Sequence, residues 1–213
     1  MSENLPQPTA QNALLTNIRE LLNQGRKQVF QAVNAAMVQT YWEIGRLIVE
    51  DEQQGQARAE YGKGVLKTLS TALTNEFGKG FDVRNLSNMR SFYQAYPIWN
   101  AVRTELSWTH YRTLLKVENE QARQWYINEA IQQAWSARAL ERQIGVLYYE
   151  RLLATQAKQQ DIQPVLAEGQ QKTSELALTA KDYLRDPYIF DFLGLPNAPL
   201  QEIELEQALI DNL

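Results

Sequence analysis

Apolar residues recur at three- and four-residue steps along most of the chain, which is the spacing of one helix face. A stripe of leucines and isoleucines occupies residues 11–22, pauses near Gly25 and resumes over residues 29–48. The pattern ends in the acidic run at residues 50–52, before Gly55. It predicts either a helical hairpin or one long bent helix. The stripe would be buried against the rest of the chain or against a second copy of the chain.

The stretch from Leu66 to Tyr96 predicts two helices joined by a short turn. The first helix ends in Phe-Gly-Lys-Gly-Phe, residues 77–81, where two glycines permit the positive φ that ends a helix. Asp82 stands where an N-cap is expected, and Pro97 ends the second helix. Two helices joined in this way have the outline of a helix-turn-helix at about residues 66–96.

The second helix of this pair has two distinct faces. Its apolar face, with Leu86, Met89 and Tyr93, is expected to pack on the first helix of the pair. Its opposite face is polar, and its side chains include those best able to hydrogen-bond base edges. A recognition helix offers such a face to the major groove, although an ordinary solvated helix would show the same pattern. The polar face consists of Arg84, Ser87, Asn88 and Ser91.

Helical spacing continues after Pro97, so the sequence predicts an all-α body. Ser107 and Ser136 are placed to cap two helices, and residues 118–135 form another between them. The tryptophans at 99, 108, 125 and 135 are expected to anchor the core. Residues 1–10 are expected to be a disordered tail, residues 11–155 the helical domain, and the Gln-rich residues 156–180 a linker. Residues 181–213 are rich in apolar side chains, which we expect to pack on the body or on a partner chain.

Composition narrows the class of protein. No apolar run approaches the roughly 20 residues of a membrane span, and the N-terminus lacks the form of a signal peptide. A cytoplasmic protein without membrane association is therefore expected. The chain has no cysteine, so disulfides and thiolate metal sites are excluded. The net charge is −4, yet residues 58–116 hold nine basic and four acidic side chains. Such a local basic excess is compatible with nucleic-acid binding.

His110 is the only histidine in the chain, so it is the only imidazole that could bind a metal or act as an acid or base. A catalytic or metal site needs converging partners, and no HxxxH or HxH spacing occurs. We therefore expect a packed or helix-capping histidine, and neither a metal site nor a cofactor in this chain.

Four segments of the chain resemble the YhcG-like bacterial proteins. They are RAEYGKGVL (58–66), NLSNMRSFY (85–93), ELSWTHYR (105–112) and YERLL (149–153). These proteins join an N-terminal helical domain of unknown function to a C-terminal PD-(D/E)xK nuclease domain. The resemblance is dense over residues 12–155. It resumes at KDYLRDPYIFDFLGL (181–195), which is similar to the entrance of the nuclease domain.

The resemblance implies that the catalytic part lies beyond residue 213. A PD-(D/E)xK site needs an Asp and a (D/E)-x-K pair on adjacent strands to hold Mg²⁺ and activate water. We therefore expect this chain not to cut DNA and to carry only the start of a truncated nuclease domain. Mg²⁺ is expected only for the missing catalytic domain.

A second resemblance concerns arrangement. ParB-type partition proteins place a helix-turn-helix before L-S-x-x-H-x-R-x-L-L, an acid-rich helix and S-x-R-x-x-E. Residues 106–115, 118–120 and 136–141 fall in that order at similar spacing. The comparison puts residues 66–96 at the helix-turn-helix position. The turn here is longer than usual, and Trp108 replaces a small residue.

Two functions follow from these patterns and stay open at this point. In the first, the domain targets DNA for a nuclease, with phosphate contacts dominating affinity. In the second, it is a protein-interaction or oligomerisation module that does not bind DNA directly. A homo-oligomer formed through the N-terminal helices is expected. The predicted DNA contacts are Lys63, Lys67, Lys79, Arg84, Asn85, Ser87, Asn88, Arg90, Ser91, Arg103 and Arg112.

Overall fold

The computed structural model describes residues 10–54, 59–174 and 187–193, and in these ranges the fold is all-α. The predicted N-terminal tail, apart from residue 10, and most of the predicted nuclease-domain start lie outside the described residues. The helices are α1 Ala10–Gln54, α2 Ala59–Phe77, α3 Val83–Ala95, α4 Trp108–Leu114, α5 Glu120–Gln132, α6 Ala137–Gly145, α7 Tyr148–Ala157, α8 Gln163–Ser174 and α9 Pro187–Phe192. Short 3₁₀ turns occur at Lys79–Phe81 and Trp99–Ala101.

Helix α1 is continuous over 45 residues, so of the two predicted alternatives the single long helix is the one observed. A glycine inside a helix costs only about 1 kcal/mol relative to alanine, so Gly25 does not end it. The buried residues of α1 begin at Phe30, and its C-terminal half forms one wall of the core.

Helix α3 packs mainly on α1. Gly45 of α1 lies so close to the Met89 carbonyl that a Cβ at position 45 would stand 2.1 Å from that oxygen. The Trp42 and Tyr93 rings also meet edge to face, with centroids 5.1 Å apart. The predicted contact between α3 and α2 also exists, with Leu86 beside Leu69 and Leu73, but the main partner of α3 is α1. Periodicity identifies the buried face of a helix but not the helix that covers it.

The predicted helix starts at Asp82, Ser107 and Ser136 are confirmed. Asp82 and Ser136 accept hydrogen bonds from the backbone N–H groups of Asn85 and Ala139, and Ser107 begins α4 in a capping box. The helix predicted to follow Ser136 is in fact two helices, α6 and α7. They are separated at Leu147, whose left-handed φ of 53° interrupts the helical ladder. Non-glycine residues adopt this conformation rarely, so the break could not be predicted from the residue type at position 147.

The predicted aromatic core is confirmed, and Trp108 stands near its centre. The Trp108 ring meets Tyr41 at 5.1 Å and Phe92 at 5.4 Å between centroids, both edge to face. Trp135 is buried as well, while Trp99 and Trp125 are half-buried against the same core. Edge-to-face aromatic pairs of this kind contribute beyond their buried area.

The predicted linker contains a packed helix. Within residues 156–180, α8 lies against α6 and α7, and its Gly169 is buried. Gln143 donates a hydrogen bond to the Gly169 carbonyl at 3.1 Å. A Cβ at Gly169 would stand 2.5 Å from the Tyr148 ring, so only glycine permits this approach. The first part of the segment therefore belongs to the helical body.

Helix α9 packs on α1 and on the turn between α2 and α3. Its Ile189 is buried, and its Phe192 ring meets Tyr41 edge to face at 6.1 Å. A Cβ at Gly80 would stand 2.9 Å from Asp191 Cβ, which shows how closely α9 covers the turn. Within the described part of residues 181–213, the expectation that apolar side chains pack on the helical body is confirmed.

Candidate nucleic-acid interface

The turn between α2 and α3 is fixed by its backbone and by one buried amide. Gly78 ends α2 at φ 94° and ψ −174°, a region open essentially to glycine alone. Asp82 Oδ1 then accepts a hydrogen bond from the Asn85 N–H at 2.6 Å and starts α3. The first turn of α3 therefore carries the positive end of the helix dipole at the surface.

Asn85 holds the turn against the core. Its Nδ2 donates to the Gly80 carbonyl at 2.6 Å, and its Oδ1 accepts from Trp108 Nε1 at 2.9 Å. The residue is only 4% exposed. Asn85 thus belongs to the buried face of α3, and its amide is engaged within the protein, which does not support its predicted contact with DNA.

The exposed cations near the turn come from three consecutive elements. Lys67 lies on α2, Lys79 in the 3₁₀ turn and Arg84 in the first turn of α3, and all three are exposed. Two carboxylates, Glu76 and Asp82, are exposed in the same stretch. The cations outnumber the carboxylates there, and the Asp82 side chain is engaged in capping α3.

The polar face of α3 that follows Arg84 is only half-exposed. Ser87, Asn88 and Ser91 all have intermediate burial. The predicted face thus exists with Arg84 as its most accessible member. In this arrangement Arg84 can reach outward while the three shorter side chains lie closer to the body.

Arg103 is exposed and lies on a backbone segment that the core holds in place. The Tyr111 hydroxyl donates to the Arg103 carbonyl at 2.9 Å and accepts from the Arg103 N–H at 2.6 Å. Burial raises the pKa of Tyr111, so the hydroxyl stays protonated at neutral pH. The sequence contains no local signal for this tether, because the two residues are related only by the fold.

Two predicted phosphate contacts are engaged within the protein. Arg90 Nε pairs with Glu52 Oε2 of α1 at 2.7 Å. The Arg112 guanidinium lies over the Tyr188 ring of α9, 4.8 Å from its centroid. Both arginines therefore join elements of the fold. The backbone of Lys63 lies in α2, but its side chain is outside the described residues.

His110 completes the cap of α4. Its Nδ1 accepts from the Ser107 N–H at 3.2 Å, and its Nε2 lies 2.9 Å from the Trp135 carbonyl, so Nε2 carries the proton. Burial lowers the pKa of His110 below its usual range. The predicted packed or capping role is confirmed.

A cavity of about 640 Å³ opens between α1, α2 and α3. Its walls are apolar, with Glu50 and Asp51 at one edge. Among the described residues, no group of three or more His, Asp or Glu side chains is placed to hold a metal ion. Within the same ranges, no helix is both long and apolar enough to cross a membrane.

Comparison with known proteins gives two matches. The family model described as the DUF1016 N-terminal domain matches residues 17–151. The curated protein "Putative nuclease YhcG" from Escherichia coli (strain K12) is 33% identical over 228 residues, covering 92% of this chain and 59% of that protein. The chain thus spans somewhat more than half the length of this relative. No solved structure matches the chain.

Proposed function

Because this chain belongs to the DUF1016 family and is similar to a protein that is named as a nuclease, we propose that its helical body is the DNA-targeting part of a nuclease-type protein. The observation that carries the proposal is the exposure of Lys67, Lys79 and Arg84 on three consecutive elements around one turn. This turn is held rigidly by Gly78 and Asn85, so the cations are presented from a fixed frame.

The proposed contacts have two roles: some position the protein on the phosphate backbone, and others read the bases. Lys67, Lys79 and Arg103 would neutralise phosphates, which supplies affinity that falls with salt. Arg84 leads the polar face of α3 and can pair with the two acceptors of a guanine edge. Ser87, Asn88 and Ser91 follow it along the same face and would touch bases or backbone once α3 lies in a groove.

The proposal assigns no cleavage to this chain. Cleavage would require the Asp…(Asp/Glu)-x-Lys set of the resembled nuclease domain, which holds Mg²⁺ and activates water. Incubation of the protein with plasmid DNA and Mg²⁺ is expected to leave the DNA intact. Nicking of the plasmid by the purified wild-type chain would contradict this part of the proposal.

The test is a salt titration of binding to short duplex and branched DNA, followed by fluorescence anisotropy. Wild-type affinity should fall steeply with salt, because released counterions set the slope. The double variant Arg84→Ala/Asn88→Ala should weaken binding by about tenfold or more and leave the salt slope nearly unchanged, because Arg84 is assigned to a base edge and the proposed phosphate contacts remain.

A matched control is Asn128→Ala/Arg138→Ala, which removes one exposed Asn and one exposed Arg from α5 and α6. It should leave affinity and slope unchanged. Absence of binding at low salt, or equal losses in the two double variants, would refute a targeting role for the α3 face.

A further inference from the structure

The N-terminal half of α1 carries a continuous apolar stripe that nothing in the described structure covers. Leu14, Leu15, Ile18, Leu21 and Leu22 expose between 45 and 68% of their surface. The buried part of α1 begins at Phe30, so this half of the helix extends from the body. Contiguous apolar surface of this kind marks an interaction site, whereas single exposed leucines are ordinary.

The same face of α1 continues along its C-terminal half with a different character. Ala32 and Ala36 are exposed and small, so a second helix could approach closely there. Further along, Leu47 is 56% exposed and lines the 640 Å³ cavity between α1 and α2. At 100° per residue, Leu15, Leu22, Ala36 and Leu47 fall within one sector of the helix. One face of α1 thus joins a projecting stripe to an open apolar cavity.

The two halves of α1 carry opposite charge. Residues 13–29 contain three basic side chains and one acidic one, with Arg19 and Arg26 beside the stripe. Residues 43–51 contain three acidic side chains and one basic one, Arg46, which bridges Glu43 and Glu50 within the chain. Asp51, the third of these acids, lies at the cavity edge. Each half is therefore complementary to the other half, not to itself.

We infer that a second copy of this chain covers this face, with the two α1 helices antiparallel. The two-fold axis would pass between Ala32 and Ala36, where small side chains meet. Leu21 of one copy would then stand opposite Leu47 of the second copy and cover the mouth of its cavity. The arrangement uses the same surface on both copies, as a two-fold interface requires.

Charge decides against the parallel arrangement. A parallel pair would set the basic halves side by side and the acidic halves side by side, and it would leave both cavities open. The antiparallel pair brings Arg19 of one copy near Glu50 and Asp51 of the other, and Arg26 near Glu43. Pairing of opposite charges across a helix interface sets orientation in this way. The inference is independent of the proposed DNA binding.

The orientation can be tested because the chain contains no cysteine. Leu21→Cys and Leu47→Cys each change an exposed leucine and are prepared as separate chains. Along one helix the two positions are about 39 Å apart, from 1.5 Å per residue. A short bismaleimide should therefore join Leu21→Cys to Leu47→Cys when the two chains are mixed, and join neither variant to itself.

The oligomeric state is measured in parallel by sedimentation equilibrium over a range of concentrations. The wild type should be a dimer that weakens with salt, and Leu15→Glu/Leu22→Glu should shift it to monomer without loss of helical circular dichroism beyond that of the projecting segment. Arg138→Glu, an exposed change outside α1, should not change the dimer. A monomer at all concentrations would overturn the inference, as would efficient self-cross-linking of Leu21→Cys alone, which would show a parallel pair.

Discussion

Replacement of Gly45 by alanine should reveal how much of the fold depends on the contact between α1 and α3. The added Cβ would stand 2.1 Å from the Met89 carbonyl oxygen, 2.7 Å from its carbon and 3.2 Å from Tyr93 Cβ. Ordinary C···O contacts lie near 3.3–3.6 Å. The two helices would therefore have to separate by about 1 Å, because the obstacle is backbone and not a flexible side chain. A gap of that size forfeits a quarter to a half of each dispersion contact along the interface.

The expected magnitude combines two opposing effects. Overpacking of a close-packed contact costs about 1–3 kcal/mol or more, while alanine gains about 1 kcal/mol of helix propensity over glycine. Because the obstacle is the backbone of a neighbouring helix, we expect the upper end of the overpacking cost, which gives a net loss of about 2 kcal/mol. For a chain of this size that loss lowers Tm by roughly 4–8 °C.

The assay is urea unfolding followed by tryptophan fluorescence, with Gly64→Ala as the matched control. Gly64 lies inside α2, and a Cβ there would meet nothing within 4 Å. The control should raise the free energy of unfolding by about 0.5–1 kcal/mol. The two Gly→Ala substitutions should thus change the free energy of unfolding in opposite directions. If Gly45→Ala is as stable as wild type, the close approach of α1 and α3 is refuted.

Three further changes test other features. Gly78→Ala should lower the free energy of unfolding by about 1–3 kcal/mol, because φ 94° is strained for alanine even though the surrounding space is open. Thermal unfolding of this variant is compared with that of Gly64→Ala, and an unchanged Tm would contradict the turn geometry. Asn85→Ala should cost about 1–3 kcal/mol, since Trp108 Nε1 and the Gly80 carbonyl lose their partner; DNA affinity measured well below its Tm should be retained, and a selective loss of affinity would restore Asn85 as a contact. The pKa of His110 is lowered in the fold but ordinary in the unfolded chain, so acidification protonates the unfolded state first. The free energy of unfolding should therefore be flat above pH 7 and fall below about pH 6.5, by up to about 1.4 kcal/mol per pH unit. His110→Gln should remove that slope in urea titrations between pH 5.5 and 7.5, and an identical slope in the variant would assign it to other groups.

The sequence predicted well those features that depend on neighbouring residues. The caps at Asp82, Ser107 and Ser136 were readable because a capping side chain bonds backbone two or three positions away. The helical body was readable because apolar spacing reports a buried face directly. The role of His110 followed from the absence of converging partners, which is also visible in the sequence.

Features that depend on distant contacts were not predictable in the same way. The main contact of α3 is with α1 and depends on the close approach at Gly45, and a lone glycine in a helix does not reveal which element lies against it. Asn85 looked like a surface residue because its partners, Gly80 and Trp108, become neighbours only in the fold. The hydrogen bonds between the Tyr111 hydroxyl and the Arg103 backbone could not be predicted for the same reason.

Helix α1 is one structural element but two units of local stability. Residues beyond Phe30 are locked by core contacts, so their amide hydrogens should exchange only when the whole body unfolds. The projecting half has only its own backbone ladder, and in proteins most helical stability comes from tertiary packing and not from helix propensity. Its amides should exchange quickly in any molecule whose stripe is uncovered. Amide protection along this single helix therefore falls in a step near Phe30. The protection that remains on the N-terminal side measures the fraction of molecules whose apolar stripe is covered.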